Sequence, residues 1–324
     1  VLAGKYRLMR LLGRGGMGSV FEAERIADGA RFALKRIEQQ AARDEVVMAR
    51  FAREVRAASA AESEHIVRVV DVGDDAGCPF LVMEYLEGED LGARLRRVSR
   101  LAAAEAVSWA TEVLSGLEQA HAKGVVHRDL KPDNVFLAEV LGRGPCVKIV
   151  DFGMSKIQPL GATTPLSLTL KGTAIGTPLY MSPEQASARA DVDARSDLYS
   201  VGAILFECLT GRPPHVGESD DAILTAIRTT RAPPIRDVLS SVSSPLAEVI
   251  DRALAFEREE RFGSAREMRE ALARMGLPVR TAVKARRRSR VMWLSALAAL
   301  VAGAATTVLV VWWMGVFGPA AGGH

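Results

Sequence analysis

The stretch HRDLKPDN at 127–134 places an acid, a cation and an amide close together: Asp129, then Lys131, then Asn134. A carboxylate so placed can accept a hydroxyl proton, an ammonium can neutralise a phosphoryl group, and an amide oxygen can hold a metal. A solvated turn could contain any one of these residues; the set together points to chemistry. Asp151 opens a DFG at 151–153, directly after the apolar run VKIV. An Asp at a strand end before Gly is often a mere turn. Here a hairpin back to the 127–134 loop would bring Asp151 beside Asn134. Two such oxygen ligands suit Mg²⁺, which also takes phosphate oxygens and water.

Two further features lie upstream. In GRGGMGSV at 13–20, glycines at 13, 15 and 18 let the backbone approach a polyphosphate closely. This G-x-G-x-x-G falls between strand-like segments and opens no helix, which argues against a dinucleotide-binding turn. Alone, it reads equally well as a glycine-rich hairpin turn. Lys35 sits in FALK among apolar neighbours. A charge near a low-dielectric interior needs partners, which phosphate oxygens and a carboxylate would supply. Glu54, beside the apolar face of a helical stretch, is the carboxylate expected, although either residue by itself is ordinary on a surface.

These residues need a frame. Segments 6–12, 19–24 and 31–37 read as strands, the last after an Asp28-Gly29 turn signal. Residues 44–60 switch to helical spacing, and 66–72 and 80–85 read as two more strands. Beyond Leu101 helical patterns dominate, at 102–123, 196–210, 219–230, 245–255 and 264–274, with small strands near 135–137 and 147–150. A β-rich first part and an α-rich second part predict two unequal lobes. The stretch 154–183, rich in Gly, Thr, Ser and Pro, reads as one long loop of functional type.

With the glycine loop, the strand Lys, HRD-x-K-x-x-N, DFG and an SPE at 182–184 in this order, the chain resembles the protein-kinase superfamily over roughly residues 6–275. GGMGSV, VMEYLEG, HRDLKPDN, GTPLYMSPEQ and SDLYSVGAILFECLTGRPP are similar to the bacterial Hanks-type, eukaryotic-like serine/threonine branch with a membrane anchor. The resemblance implies an α+β, two-lobed fold with a kinase domain at 4–275, its N-lobe at about 4–86 and its C-lobe at about 91–275. It implies transfer of the ATP γ-phosphoryl group to Ser/Thr hydroxyls of proteins, with Mg²⁺ as the metal and Mn²⁺ as a substitute.

Position by position, Leu12, Gly13, Arg14, Gly15, Gly16, Met17 and Gly18 would cover ATP. Val20 and Ala33 would pack on adenine, Lys35 would contact the α/β-phosphates and pair with Glu54, and Met83 holds the gatekeeper position. Glu84 and Leu86 would offer hinge backbone, and Asp90 falls at the ribose-contacting acid. Asp129 is the implied base, Lys131 the phosphate-neutralising residue, and Asn134 and Asp151 the metal ligands. Glu184 and Arg261 resemble the ion pair that holds the large lobe together, and Asp197 the acid that ties the catalytic loop to its helix. Lys131 together with Gly176-Thr177 resembles the serine/threonine pattern. Ser182 replaces the usual Ala, and His65-Ile66-Val67 lacks the Pro or Asn often found there; neither departure is expected to touch the chemistry.

Regulation is implied as well. Arg128 precedes Asp129 near a loop with Thr163, Thr164, Ser167, Thr169 and Thr173. A phosphate there brings about −1.5 to −2 charges and could pair with Arg128. Thr169 and Thr173 lie nearest the family's autophosphorylation region; the alternative is that these hydroxyls only solvate the loop. Autophosphorylation in trans would favour a homodimer.

Composition bounds the rest. The 324 residues are 48% hydrophobic and 25% charged, which excludes wholesale disorder. The net charge of +3 conceals an asymmetry: six of the 42 basic residues lie at 280–290, leaving 36 basic against 39 acidic residues before Arg280. The main body is mildly acidic, so a nucleic-acid partner is not expected. Residues 291–317 carry no charged side chain, and as a helix would span about 40 Å, against roughly 30 Å of hydrocarbon. A single transmembrane helix is expected there, between a basic linker at 276–290 and a short tail at 318–324. Positive charge before it places the kinase domain in the cytoplasm, with the chain in the cell membrane. Cys78, Cys146 and Cys208 show no C-x-x-C spacing, so neither a disulfide framework nor a zinc cluster is expected. The rival readings are a non-catalytic kinase-like module, disfavoured by the presence of Lys35, Asp129 and Asp151, and a membrane receptor whose kinase is its output.

Overall fold

The computed structural model describes residues 1–15, 18–38, 42, 48, 51, 63–140, 144–152 and 178–276. The chain divides into two compact units, Val1–Thr281 and Ala282–His324, and the second lies outside the described residues. So do Gly16, Met17, Glu54, Thr169, Thr173, the basic run and segment 291–317.

Alternation builds the first lobe. Strands β1 (Tyr6–Gly15), β2 (Gly18–Arg25), β3 (Arg31–Ile37), β4 (Val69–Asp75) and β5 (Cys78–Glu84) form an antiparallel sheet in the order β1-β2-β3-β5-β4. Successive side chains point to opposite faces of a strand. Phe32 and Leu34 of β3 and Phe80 and Val82 of β5 therefore join one cluster with Tyr6 and Leu2. The neighbours Ala33, Ile37, Leu81 and Met83 join another with Leu86 and Val150. Lys35 shares the face of Ala33 and Ile37 by the same parity, although its own side chain is charged. Gly18 is required by close approach: a Cβ there would lie 2.0 Å from the Arg36 carbonyl oxygen of the neighbouring strand.

A second, small sheet joins β6 (Gly88–Asp90), β7 (Val135–Val140) and β8 (Gly144–Ile149). Helices α1 (Leu91–Val98) and α2 (Ala103–Ala122) pack on it, and α3 (Pro183–Ala186), α4 (Arg195–Thr210), α5 (Asp220–Thr229), α6 (Ile235–Val238), α7 (Ser244–Ala253) and α8 (Ala265–Ala273) follow along the chain. One core unites Trp109, Leu114 and Leu117 of α2, Leu205 and Phe206 of α4, and Met268 and Leu272 of α8. Each such fully buried side chain contributes about 1.5–3 kcal/mol. Helix α4 stops at Gly211, whose φ of 81° suits the left-handed cap.

Three local expectations change. The run 66–72 is not one strand. Ile66 instead forms a parallel bridge with Ile149, and β4 begins at Val69. Helix α1 was not legible, because LGARLRRV has few apolar positions; Asp90 caps it by accepting from the Ala93 N–H at 2.6 Å. The packed unit also begins before residue 4, since Leu2 is buried against the first-lobe core. Among the described residues, no helix is long and apolar enough to cross a membrane.

Candidate active site

Five of the expected residues, Lys35, Asp129, Lys131, Asn134 and Asp151, are brought together from β3, the 127–134 loop and the end of β8. Lys35 of β3 is buried, and its Nζ lies 2.8 Å from Asp151 Oδ1 just beyond β8. The pair is asymmetric: the Lys35 side chain is 7% exposed and that of Asp151 38%. The cation is held by the lobe while the carboxylate faces the opening. Asp151 sits at φ 58°, in the left-handed region, and Phe152 behind it packs on the buried His127 ring with centroids 4.8 Å apart.

The 127–134 loop meets this pair from below. Lys131 Nζ donates to Asp129 Oδ2 at 3.2 Å. Asn134 donates its amide to the Asp129 carbonyl at 2.8 Å, and its own carbonyl accepts from the Val150 N–H at 3.0 Å. Asn134 is thus tied both to the loop and to the residue preceding Asp151. A shallow pocket beside Asp129 and Lys131 is lined by Tyr180, Met181 and Ser200. The donor set fits a hard divalent cation. With its amide nitrogen committed to the Asp129 carbonyl, Asn134 has its side-chain oxygen to offer a cation, and Asp151 a carboxylate.

The loop itself is held by strain-bearing anchors. Arg128 has φ 65°, unusual for a residue with a side chain. Asp197, wholly buried in the first turn of α4, accepts from the N–H groups of Arg128 at 2.8 Å and His127 at 2.9 Å, and from His121 Nε2 at 2.8 Å. Burial alone would push the Asp197 carboxyl up, but these bonds leave it below the usual carboxylate range. Deeper in the lobe, Arg261 donates to both oxygens of Glu184 at 2.8 and 2.9 Å, and Ser196 adds a bond at 2.6 Å. Burial raises the Glu184 carboxyl, and the Arg261 guanidinium outweighs it, so the group stays ionised.

The residues expected on the ATP side lie mainly in the first-lobe sheet. Val20 pairs with Lys35 across β2 and β3, and Ala33 pairs with Met83 across β3 and β5. Leu12, Gly13 and Arg14 lie exposed at the end of β1. The Glu84 N–H donates to the Arg68 carbonyl, and its carboxylate accepts from Lys148 Nζ at 2.6 Å, a pairing sequence reading missed. Asp90 is engaged as the cap of α1.

Gln185 was also missed. Its side-chain amide donates to the Arg128 carbonyl at 2.7 Å, directly before Asp129. Its oxygen accepts from Ser182, which caps α3 in a reciprocal box. Ser182 itself touches none of the candidate catalytic side chains and reaches the 127–134 loop only through Gln185. The S-x-x-Q spacing signals the cap, though not the contact with Arg128.

The family model described as "Protein kinase domain" matches residues 6–273. The chain belongs to this family. Its two-lobed architecture, a β-sheet lobe above a helical one, is the protein kinase fold. It is 41% identical to the serine/threonine-protein kinase Pkn1 of Myxococcus xanthus, over 84% of this chain and 38% of that protein. It is 37% identical to the serine/threonine-protein kinase PknH of Mycobacterium tuberculosis, over 82% of this chain and 41% of that protein. The chain thus spans about two fifths of the length of these curated relatives. The solved kinase domain of PknI from Mycobacterium tuberculosis is 29% identical, with a TM-score of 0.65 over 85% of this chain and 96% of that one.

Proposed function

We propose that the chain is a bacterial protein-serine/threonine kinase that transfers the γ-phosphoryl group of ATP to Ser or Thr hydroxyls of proteins. The convergence of Lys35, Asp151, Asn134, Asp129 and Lys131 on one cleft carries this reading. Lys35, fixed by β3, neutralises the α/β-phosphates. The Asp129 carboxylate orients the acceptor hydroxyl and takes its proton as the hydroxyl oxygen bonds to the γ-phosphorus and the bond to the ADP oxygen breaks. Lys131, beside Asp129, offsets the charge on the moving group. Protein groups have little covalent work; positioning and charge stabilisation carry the rate. Asn134 and Asp151 would hold Mg²⁺, which would supply positive charge against that of the phosphates.

The domain layout supporting this activity is a kinase domain at 4–275, a basic linker at 276–290 and a membrane-spanning helix at 291–317, with the kinase on the cytoplasmic face. The uncharged run and the basic residues before it support this arrangement. Phosphate on Thr169 or Thr173 would pair with Arg128 and order the activation loop, and membrane-confined homodimers would favour its transfer in trans.

The test is incubation of the full chain with radiolabelled ATP, Mg²⁺ and a basic protein substrate, followed by phosphoamino-acid analysis. Label on Ser or Thr is expected, along with phosphopeptides from residues 160–177. Nucleotide binding without transfer would contradict the enzymatic reading. Active protein with no phosphate in 160–177 would remove the regulatory part alone. Recovery of the chain in a carbonate-washed membrane fraction, lost on truncation after residue 290, tests the anchor.

A further inference from the structure

Three side chains outside the cleft meet where β8 runs between α2 and the segment entering β4. His65 Nδ1 lies 3.7 Å from Glu112 Oε2 and 3.8 Å from Cys146 Sγ, and one donor atom from each residue lies within 4.8 Å of the others. The nitrogen–oxygen gap is too long for a hydrogen bond. It suits the edge of a coordination tetrahedron. Zinc bonds of about 2.0–2.1 Å to N and O and about 2.3 Å to S put neighbouring ligands roughly 3.3–3.6 Å apart. A few tenths of an ångström of side-chain rotation closes the difference on the two His65 edges, while the Glu112–Cys146 edge, within 4.8 Å, takes a larger rotation of the two side chains.

The frame around the cluster is rigid. The His65 carbonyl accepts from the Ile149 N–H at 2.8 Å, and the Val67 N–H donates to the Ile149 carbonyl at 3.0 Å. His65 also packs so closely on α2 that a Cβ on Gly116 would lie 3.2 Å from its own. Glu112 is steered by the Val147 N–H, which donates to the same Oε2 at 2.8 Å. On the far side of the imidazole, Glu64 Oε1 lies 3.9 Å from Nε2, near but beyond hydrogen-bond length. Nδ1 lies 3.2 Å from the Val147 carbonyl, and Cys146 Sγ 3.6 Å from the same oxygen. A cation would replace the protons that those contacts use. The three side chains are only partly buried, so an ion can enter from solvent.

We propose that His65, Glu112 and Cys146 form a binding site for a divalent transition-metal ion, Zn²⁺, with water in the fourth position. A thiolate and an imidazole select such an ion over Mg²⁺, which keeps this site chemically separate from the all-oxygen pair in the cleft. The ion clips three distant stretches of chain together, a few residues before Asp151. No spacing motif announces the site, because its members stand at 65, 112 and 146 and only the fold joins them.

The test uses the full chain in excess Mg²⁺, with Co²⁺ as the spectroscopic probe and Zn²⁺ as competitor. The chain has three cysteines, and Cys78 and Cys208 are buried, so a thiolate-to-Co²⁺ band reports on Cys146. A saturable band, displaced by Zn²⁺ and absent in Cys146→Ser, is expected. Glu112→Gln keeps an acceptor for the Val147 N–H but loses the anionic ligand, and Zn²⁺ should bind it about tenfold more weakly or worse. Unchanged circular dichroism and urea midpoints in metal-free buffer establish that both variants fold. Absence of the band in wild type, its persistence in Cys146→Ser, or equal Zn²⁺ affinity in wild type and Glu112→Gln would each overturn the proposal.

Discussion

Two carboxylate–cation pairs in this molecule have similar lengths and opposite surroundings. Glu184 and Arg261 meet inside the helical lobe with side chains 4% and 0% exposed, and further bonds run from Ser196 to Glu184 and from Arg261 to the Ala255 and Phe256 carbonyls. Lys35 and Asp151 meet at the cleft, and the carboxylate opens to solvent. The first pair is saturated and has nothing left to offer a ligand. Under the proposed function, the second would exchange its contacts for a nucleotide and a metal. Burial therefore separates charge used for architecture from charge used for chemistry, although the residue types are the same.

The sharpest way to break this contrast is to delete one partner from each pair. Arg261→Met should cost about 3–5 kcal/mol, because it strands a buried carboxylate. Urea denaturation would show this as a large midpoint shift, and a shift below about 1 kcal/mol would erase the distinction. Lys35→Met should lower turnover by about 10²–10³-fold, while its urea midpoint stays near that of wild type, since the Asp151 side chain is 38% exposed.

Acidity probes the same division. The folded-state values of Glu184 and Asp197 lie below the ordinary range, so their contribution is complete above about pH 4 and is lost as pH falls through those lower values. His215, pushed down by burial, binds its proton more readily when unfolded, so its contribution begins to fade below about pH 6.5. Stability should therefore decline gently below pH 6.5 and steeply below pH 4. His215→Gln should remove only the first phase in a pH series of urea midpoints.

The smallest effect concerns Gln185. Gln185→Ala removes its bond to the Arg128 carbonyl, and about 1 kcal/mol of stability with it. Turnover should fall several-fold without a change in the KM for ATP. Equal kinetics for the variant would make Gln185 a helix cap and nothing more.

Much of the cleft was legible because its chemistry is local. Asp129, Lys131 and Asn134 share one loop, and strand parity assigns Lys35 to the face of Ala33 and Ile37. What escaped was contact between distant stretches. Gln185 reaches Arg128 and Lys148 reaches Glu84 only through the fold, and no period or motif encodes such a meeting. The run 66–72 misled because its apolar residues suit a strand, while Ile66 and Val67 pair with Ile149 of the other sheet. Helix α1 escaped because its cap and two leucines, not a broad apolar face, define it.

The central claim is that Asp129 acts on the acceptor hydroxyl and not on nucleotide binding. Phosphoryl transfer and ATP affinity measured side by side on Asp129→Asn test it directly. Transfer should fall about 10²–10⁴-fold with the dissociation constant for ATP within a few-fold of wild type. Wild-type turnover in the variant, or loss of transfer explained wholly by loss of ATP binding, would contradict the account.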